Sequence, residues 1–382
     1  MPSMDRFDVC VCGSGAVGAS AALALARQGL RVAITAAPVR STGATGSTGP
    51  TAARADVRAY ALNTTSRQLL MDLKVWPALP ADAITPVHDM RVAGDAPSGH
   101  IEFSSWQQAV EALAWIVDAA ELDAALLSAL SFAPHLQVVS GPVQASLTVW
   151  ADGKASAAHR PSHAQPQRHA YAQTAVATRL HSDRPHAHTA WQWFRSPDVL
   201  ALLPFDRPQL GHSFGLVWSM PTDQAQAMLD LPAAEFEARL NLATGGAAGR
   251  LELAAERMAW PLSQATASPL CGAGWVLVGD AAHVVHPLAG QGLNLGLADV
   301  ASLGAVLAAR EPWRPLGDEA LLRRHVRARA LPTLAMTQLT DSLLQLFSTQ
   351  QPMLRELRNH GMGLLNRLPP VKRLLTARAL VA

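Results

Sequence analysis

Residues 278–299 read VGDAAHVVHPLAGQGLNLGLAD, and what this stretch is built to hold decides the fold. It continues an apolar run, Trp275-Val276-Leu277-Val278, that reads as a strand and stops at Gly279-Asp280. A loop with His286 and Pro287 follows, then Gly290-Gln291-Gly292-Leu293-Asn294, and an Ala/Leu pattern predicts a helix to about Arg310. A carboxylate at the end of a buried strand is placed to grip a hydroxyl. Glycines at a helix start let a ligand approach bare backbone N–H groups, where the helix dipole favours negative charge. A plain strand-to-helix turn needs no such length. The stretch therefore predicts a large, polar and partly anionic ligand.

The other end of the chain narrows that ligand. Phe7–Cys12 alternates apolar residues as a buried strand does, and Gly13-Ser14-Gly15-Ala16-Val17-Gly18 follows. Ala19–Gln28 predicts a helix and Arg31–Ile34 the next strand. GxGxxG between strand and helix of one βαβ unit is the context a dinucleotide fingerprint requires. Gly13 allows the turn, Gly15 lets a pyrophosphate approach, and Gly18 lets helix pack on strand. The acidic residue expected about twenty positions on, to take the ribose hydroxyls, is absent, because the second strand ends Ile34-Thr35-Ala36-Ala37. A nicotinamide dehydrogenase needs only the first dinucleotide signal. A flavoprotein that folds its chain back over FAD needs both, one for the pyrophosphate and one for the ribityl chain and ring.

Composition fits a large globular chain. With 382 residues, 49% apolar and 16% charged, two intimately joined domains are expected. A net charge of +2 gives no case for nucleic acid. The three cysteines, Cys10, Cys12 and Cys271, suggest a reducing compartment without a disulfide framework. Cys10 and Cys12 share one face of the first strand and read as core filling. The fourteen histidines lack companion ligands at metal spacing, so no metal is expected. No apolar run reaches membrane-span length, and the strand at Phe7 leaves no room for a cleavable signal. The expected location is the cytoplasm.

Punctuation gives the organisation. Residues 36–55 read as a loop rich in Gly, Thr and Ala, Asn63–Trp76 as a helix, and Val87–Val92 with His100–Phe103 as a hairpin. Asp118 is placed to cap a helix to about Leu130, and 154–170 reads as a polar connector. Four β-like runs follow, Thr174–Arg179, Thr189–Phe194, Leu200–Pro204 and Ser213–Trp218, separated by turn residues as in an antiparallel sheet. Ala233–Ala243 reads as helix, and beyond Ala282 the chain is mostly helical. The expected fold is α/β, a Rossmann-like FAD-binding domain with an inserted antiparallel α+β substrate domain. Segments 1–75, 105–170 and 263–311 would build the first, 76–104 and 171–262 the second, and 312–382 a C-terminal helical segment.

The sequence resembles the FAD-dependent aromatic hydroxylases, and among them the ubiquinone-biosynthesis hydroxylase family. The residues that carry this, besides the opening stretch, are Asp56-Val-Arg58-Ala59-Tyr-Ala61-Leu62 with Ser66, and Ala151-Asp152-Gly153 with Ser156. Pro185-His186 with Thr189-Ala190-Trp191-Gln192, Pro261-Leu262, and Leu357-Arg358-Asn359 with Pro369-Pro370 complete them. The resemblance covers nearly the whole chain. It implies that NAD(P)H reduces FAD, that O2 adds to the flavin, and that the resulting hydroperoxide delivers one oxygen to a phenol ring bearing an isoprenoid chain. It implies cofactor contacts from Gly13, Gly15, Ala16, Val17, Gly18, Arg58, Asp152, Gly279, Asp280, Gly290, Gln291, Gly292, Leu293 and Asn294. His286 and Pro287 would face the flavin, and no other catalytic side chain is named, since the reactive group is borrowed.

Three departures keep alternatives open: the missing ribose carboxylate, Arg160 one position later than the family's arginine, and a short connection from His135 to Trp150. One alternative is a weakly FAD-binding or non-catalytic member of a ubiquinone-biosynthesis complex. Another is a different flavoenzyme of the same fold. Trp191-Gln192-Trp193 is similar to the Trp-x-Trp of flavin halogenases, although Arg195-Ser196 stand where Ile-Pro should follow. The last residues, from Pro352, carry six basic side chains against Glu356 among many leucines. That pattern suits either packing on the cofactor domain or peripheral contact with an anionic membrane or a biosynthetic partner.

Overall fold

The computed structural model describes residues 7–35, 56–94, 99–141, 143–153, 166–284 and 292–348. Strand β1 (Phe7–Cys12) buries Val9 and Val11 completely, as its alternation predicts, and leads through the glycine turn into α1 (Ala16–Ala26) and β2 (Val32–Thr35). Helix α1 is small-sided and buried along most of its length, so it lies close to both the sheet and its neighbouring helices. Next come β3 (Ala59–Leu62), α2 (Thr64–Asp72), β4 (Ile84–Val87), β5 (Asp89–Ala93), β6 (His100–Ser104), α3 (Ser105–Gln108), β7 (Ala114–Asp118) and α4 (Ala119–Phe132).

Helix α2 starts on Asn63, whose side chain accepts the Ser66 N–H. It stops at Asp72 rather than Trp76, because Lys74 takes φ 62, which no helix continues. Asp118 caps α4 as expected, accepting the Ala120 N–H at 3.0 Å. The chain continues with β8 (Leu136–Val139), β9 (Ala145–Trp150), β10 (Pro166–Ser182), β11 (Thr189–Arg195), β12 (Asp198–Phe205), β13 (Ser213–Pro221), α5 (Thr222–Asp230) and α6 (Ala233–Thr244). Then follow β14 (Leu251–Leu253), β15 (Met258–Ala267), β16 (Cys271–Gly272), β17 (Trp275–Leu277), β18 (His283–Val284), α7 (Gly292–Ala308) and α8 (Glu319–Ser348).

Three sheets organise these elements. The first has strand order β16-β17-β9-β1-β2-β8, parallel from β17 to β8. Its central β9 comes from the connection that the sequence left without a strand. The Ser146-Leu147-Thr148-Val149 alternation is short, but it completes the ladder between β1 and β17 and buries Leu147 and Val149 fully. The second sheet has nine strands, ordered β18-β15-β10-β13-β12-β11-β5-β6 with β14 beside β10. All its pairs are antiparallel except β11 with β5. The four predicted runs are β10 to β13, and the predicted hairpin is β5 with β6, where Met90 faces Phe103. Strand β10 begins at Pro166, inside the predicted connector, because Pro166–Ala170 pair with Ser263–Ala267. Pairing overrides a polar local sequence there. A third, three-stranded sheet, β3-β7-β4, lies against the second through Val87, Ile116, Ala190, Leu203 and Phe205.

Candidate functional site

The carboxyl ends of parallel strands in an open α/β sheet are where ligands bind. Here three neighbouring strand ends carry the predicted residues: β1 runs into Gly13, β9 into Ala151-Asp152, and β17 into Gly279-Asp280. Backbone bonds stitch the ends together, Ala151 N–H to the Cys12 carbonyl at 2.8 Å and Val278 N–H to the Trp150 carbonyl at 3.0 Å. The two glycine-rich signals, far apart in sequence, therefore lie along one sheet edge.

Packing joins them directly. The side chain of Val17, inside the first fingerprint, would lie 3.0 Å from a Cβ on Gly279 and 2.6 Å from one on Gly296 of α7. Any side chain at either position would push the two signals apart. Within the fingerprint the three glycines differ. Gly13 has φ +115, and a Cβ there would come within 2.5 Å of the Ala151 carbonyl oxygen. A Cβ on Gly18 would lie 2.0 Å from the Gly13 carbonyl oxygen, so the first turn of α1 can pack against the glycine turn only with glycine there. A Cβ on Gly15 would meet no atom of the other described residues within 4 Å, its chain neighbours apart. The open space at Gly15, at the N-cap of α1, fits a pyrophosphate on backbone N–H groups at a positive helix end. The residues present thus fit a dinucleotide.

Thr35 stands where the dinucleotide pattern has its ribose carboxylate, and its hydroxyl is used locally. It accepts the Gly13 N–H at 3.3 Å and donates to the Val11 carbonyl at 3.4 Å. Cys10 and Cys12 are buried with their sulfurs 3.9 Å apart.

On the second signal, Gly279–Ala281 forms a 3-10 turn with Gly279 at φ +60. Asp280 is half-buried, and a Cβ on Gly292 would lie 3.9 Å from its Oδ1. Its carboxylate therefore sits against the first turn of α7, where Leu293 is half-buried and packs on the core. Asn294 is buried, and its side chain is internal. Its Oδ1 accepts from Asn63 N–H at 3.0 Å and Ser66 Oγ at 2.7 Å, and its Nδ2 donates to the Ala61 carbonyl at 2.7 Å. Only its backbone could serve a ligand. Gly290, Gln291, His286, Pro287, Arg160, the 36–55 loop and the basic tail lie outside the described residues.

Arg58 precedes β3 and is held by Asp56, with Nε at 2.9 and 3.0 Å from the two carboxylate oxygens and Nη2 at 2.6 Å from Oδ2. Asp123 lies 3.8 Å away. Burial would raise the Asp56 pKa, but the Arg58 bonds and charge outweigh it and hold Asp56 below the usual carboxylate value. Tyr60, beneath this guanidinium, is pushed up to about 12 by burial.

Two buried ionic groups have no counterpart among the residues expected from the sequence. Arg179 of β10 is 6% exposed and bridges the second sheet to the cofactor side. It donates to the Arg58 carbonyl at 2.6 Å, approaches Asp118 at 3.6 Å and lies over the Phe205 ring. Burial lowers its pKa to about 10. The second group is Asp299, 2% exposed, with His283 Nε2 at 2.7 Å and Arg329 Nε at 2.8 Å. Both His283 and Asp299 stand in the 278–299 stretch, where an acid and an imidazole sixteen residues apart were the available signal.

Comparison with known proteins agrees with this geometry. The FAD binding domain family matches residues 135–339. Ubiquinone hydroxylase UbiL of Rhodospirillum rubrum is 29% identical, over 98% of this chain and 89% of its own. The 3-demethoxyubiquinol 3-hydroxylase of Escherichia coli is 28% identical, over 96% of each chain. Among solved structures, PqsL, a probable FAD-dependent monooxygenase from Pseudomonas aeruginosa, superposes with a TM-score of 0.73 at 18% identity. It covers 94% of this chain and 99% of its own, a likeness of fold. Two glycine signals on one sheet edge, an open Gly15 and these matches place the chain in the FAD binding domain family, among the FAD-dependent ubiquinone-biosynthesis hydroxylases.

Proposed function

We propose that this FAD-dependent monooxygenase hydroxylates a phenol ring bearing a polyprenyl chain, with NAD(P)H and O2 as co-substrates. The observation that carries the cofactor assignment is the meeting of Val17 with Gly279 and Gly296, which makes one site from two distant signals. The substrate class rests on the relatives named for ubiquinone hydroxylation.

Bound FAD supplies the redox chemistry that joins NAD(P)H, O2 and the ring. The chain supplies position and charge. Gly13, Gly15, Ala16, Val17 and Gly18 would hold the pyrophosphate on the α1 N-terminus, and Asp280 would grip the ribityl hydroxyls. Asp152 would flank the cofactor from the end of β9, and Arg58, steadied by Asp56, would approach it from the start of β3. First-turn amides of α7, from Gly292 to Asn294 and the Gly290-Gln291 preceding them, would favour negative charge on the ring system by roughly 1–2 kcal/mol. His286 and Pro287 would face the ring. In this reading the cofactor domain spans 1–75, 105–170 and 263–311, and the substrate domain spans 76–104 and 171–262.

Two measurements test the proposal. Purified holoprotein given NADH or NADPH, O2 and a short-chain prenylphenol should yield a product heavier by one oxygen on the ring. Reductant consumption with no oxygenated product under any of these substrates would refute the ring hydroxylation. Asp280→Ala should weaken FAD about tenfold or more, the loss of a charge-assisted hydrogen bond of roughly 1.5–3 kcal/mol; unchanged affinity would make Asp280 a turn residue only.

The substrate's lipid tail motivates a further proposal, that the six basic residues beyond Pro352 bring the chain to an anionic membrane surface. Among the described residues no helix is long and apolar enough to cross a membrane. Sedimentation with anionic but not neutral vesicles, reversed by salt, is the expected outcome. Equal and negligible binding to both vesicle types would remove membrane contact.

A further inference from the structure

The Asp299 carboxylate takes donors from three elements. Gly279 N–H reaches Oδ2 at 3.0 Å, His283 Nε2 reaches the same oxygen at 2.7 Å, and Arg329 Nε of α8 reaches Oδ1 at 2.8 Å. Arg329 Nη2 also reaches the Leu295 carbonyl at 3.4 Å, so one guanidinium grips both the carboxylate and the backbone of α7. Taking such ions out of water costs several kcal/mol each, and apolar packing often serves stability as well or better. A network of this kind is better explained by the geometry it fixes. The geometry here is the turn at Gly279, the residue immediately before Asp280. Gly296 leaves α7 no slack against Val17 and Gly279, with only 2.6 and 3.2 Å to an added Cβ. A shift of α7 or of the Asp299 side chain is therefore passed to that turn rather than absorbed.

We propose that Asp299 and Arg329 are positioning residues for FAD, with Arg329 orienting Asp299 and Asp299 holding the Gly279 N–H, so that docking of α8 and binding of the cofactor are coupled. The proposal rests on Asp280 being a cofactor ligand. Coupling is reciprocal: what Arg329 contributes to FAD affinity, FAD returns to the attachment of α8. Among the described residues Arg329 hydrogen-bonds Asp299 and the Leu295 carbonyl, not the Gly279 turn, so it acts on that turn through Asp299 and the seating of α7.

The test combines titration of apoprotein with FAD, followed by flavin fluorescence, and hydrogen exchange with and without FAD. Arg329→Met should weaken FAD by about fivefold or more, the lower range of site-to-site coupling, and Arg329→Lys should recover part of the loss by restoring the cation. In the unmutated protein FAD should slow exchange of α8 amides over 321–331 more than those of α6, which lies against the other sheet. In Arg329→Met that excess should vanish. Normal FAD affinity of Arg329→Met, beside an Asp280→Ala variant that binds weakly, overturns the coupling and leaves the cofactor site intact. Full FAD affinity in Asp280→Ala overturns the cofactor site itself. If Arg329→Met does not fold, the exchange data on unmutated protein decide, and equal slowing of α8 and α6 overturns the proposal.

Discussion

A valine at Gly15 and a valine at Gly18 add the same isopropyl group to the same turn, yet their surroundings dictate opposite outcomes. Around Gly15 an added Cβ meets none of the other described residues within 4 Å, chain neighbours apart, so Gly15→Val should fold with an unfolding temperature close to that of the parent apoprotein. It should also fail to retain FAD, because the added atoms stand where backbone must approach phosphate. Gly18→Val drives a Cβ into the Gly13 carbonyl, a backbone atom that cannot rotate away. It should lose about 3 kcal/mol or more in stability even without cofactor. Thermal unfolding of both apoproteins, with flavin content beside it, separates the two. Normal flavin content in Gly15→Val would take the fingerprint out of the cofactor site. Thr35 makes a related point. Its hydroxyl bridges Gly13 to Val11, so a residue that cannot form the usual acid–ribose contact still steadies the turn.

Among the elements, α7 does the most to bring the site together. Its first turn faces Asp280, Gly296 seats it on the two glycine turns, and Asn294 ties it to β3 and α2 through three hydrogen bonds. Asn294→Ala would strand the Asn63 N–H, the Ser66 hydroxyl and the Ala61 carbonyl in a buried place. The expected loss is about 3 kcal/mol or more, since each of the three stranded groups costs about 1–3 kcal/mol, read from the midpoint of urea unfolding. Because the backbone N–H of residue 294 remains, molecules that stay folded should retain most of their FAD affinity. A stable Asn294→Ala variant with strongly weakened FAD would instead show that the amide side chain reaches the ligand. The capping Asp118 has a comparable double duty. It starts α4 and stands 3.6 Å from the Arg179 guanidinium, so an element boundary also offsets a charge between two sheets.

Over the whole molecule, three buried imidazoles set a stability that depends on pH with a definite sign. Burial pushes His325 down to about 4 and lowers His186 despite Asp206. Both are folded neutral, so their contribution is complete above the ordinary imidazole value near 6.5 and is lost as pH falls through that range. His283 is the opposite case. Burial would lower it, but the Asp299 charge and hydrogen bond prevail and raise it, so its contribution is complete below that value and is lost as pH rises through its raised pKa. The unfolding temperature should therefore peak near the ordinary imidazole value and fall on both sides. His325→Gln should flatten the acid limb between about pH 6 and 4 while leaving the alkaline limb, which belongs to His283. An acid limb unchanged by that substitution would assign the loss to the carboxylates, Asp56, Asp206 and Asp299, whose pKa values are held low.

The sequence by itself determined the kind of ligand and the glycine turns that come together at the strand ends, because those requirements are local. A GxGxxG between strand and helix, a Gly-Asp at a strand end and glycines before a helix each carry their own geometry within a few residues. The antiparallel runs β10 to β13 were equally readable, since alternation and turn residues lie next to one another in the chain. Tertiary structure decided what depends on neighbours distant in sequence. Strand β9 is central only because β1 and β17 flank it, and the start of β10 is a strand only because β15 pairs with it. The Asp299 carboxylate gains its meaning from an arginine thirty residues on and a backbone N–H twenty residues back. Asn294, expected to serve the cofactor through its backbone N–H, turns its side chain inward because three buried polar groups wait for it there. Burial and hydrogen-bond partnership are set by where the chain returns in space, and no short stretch contains that information.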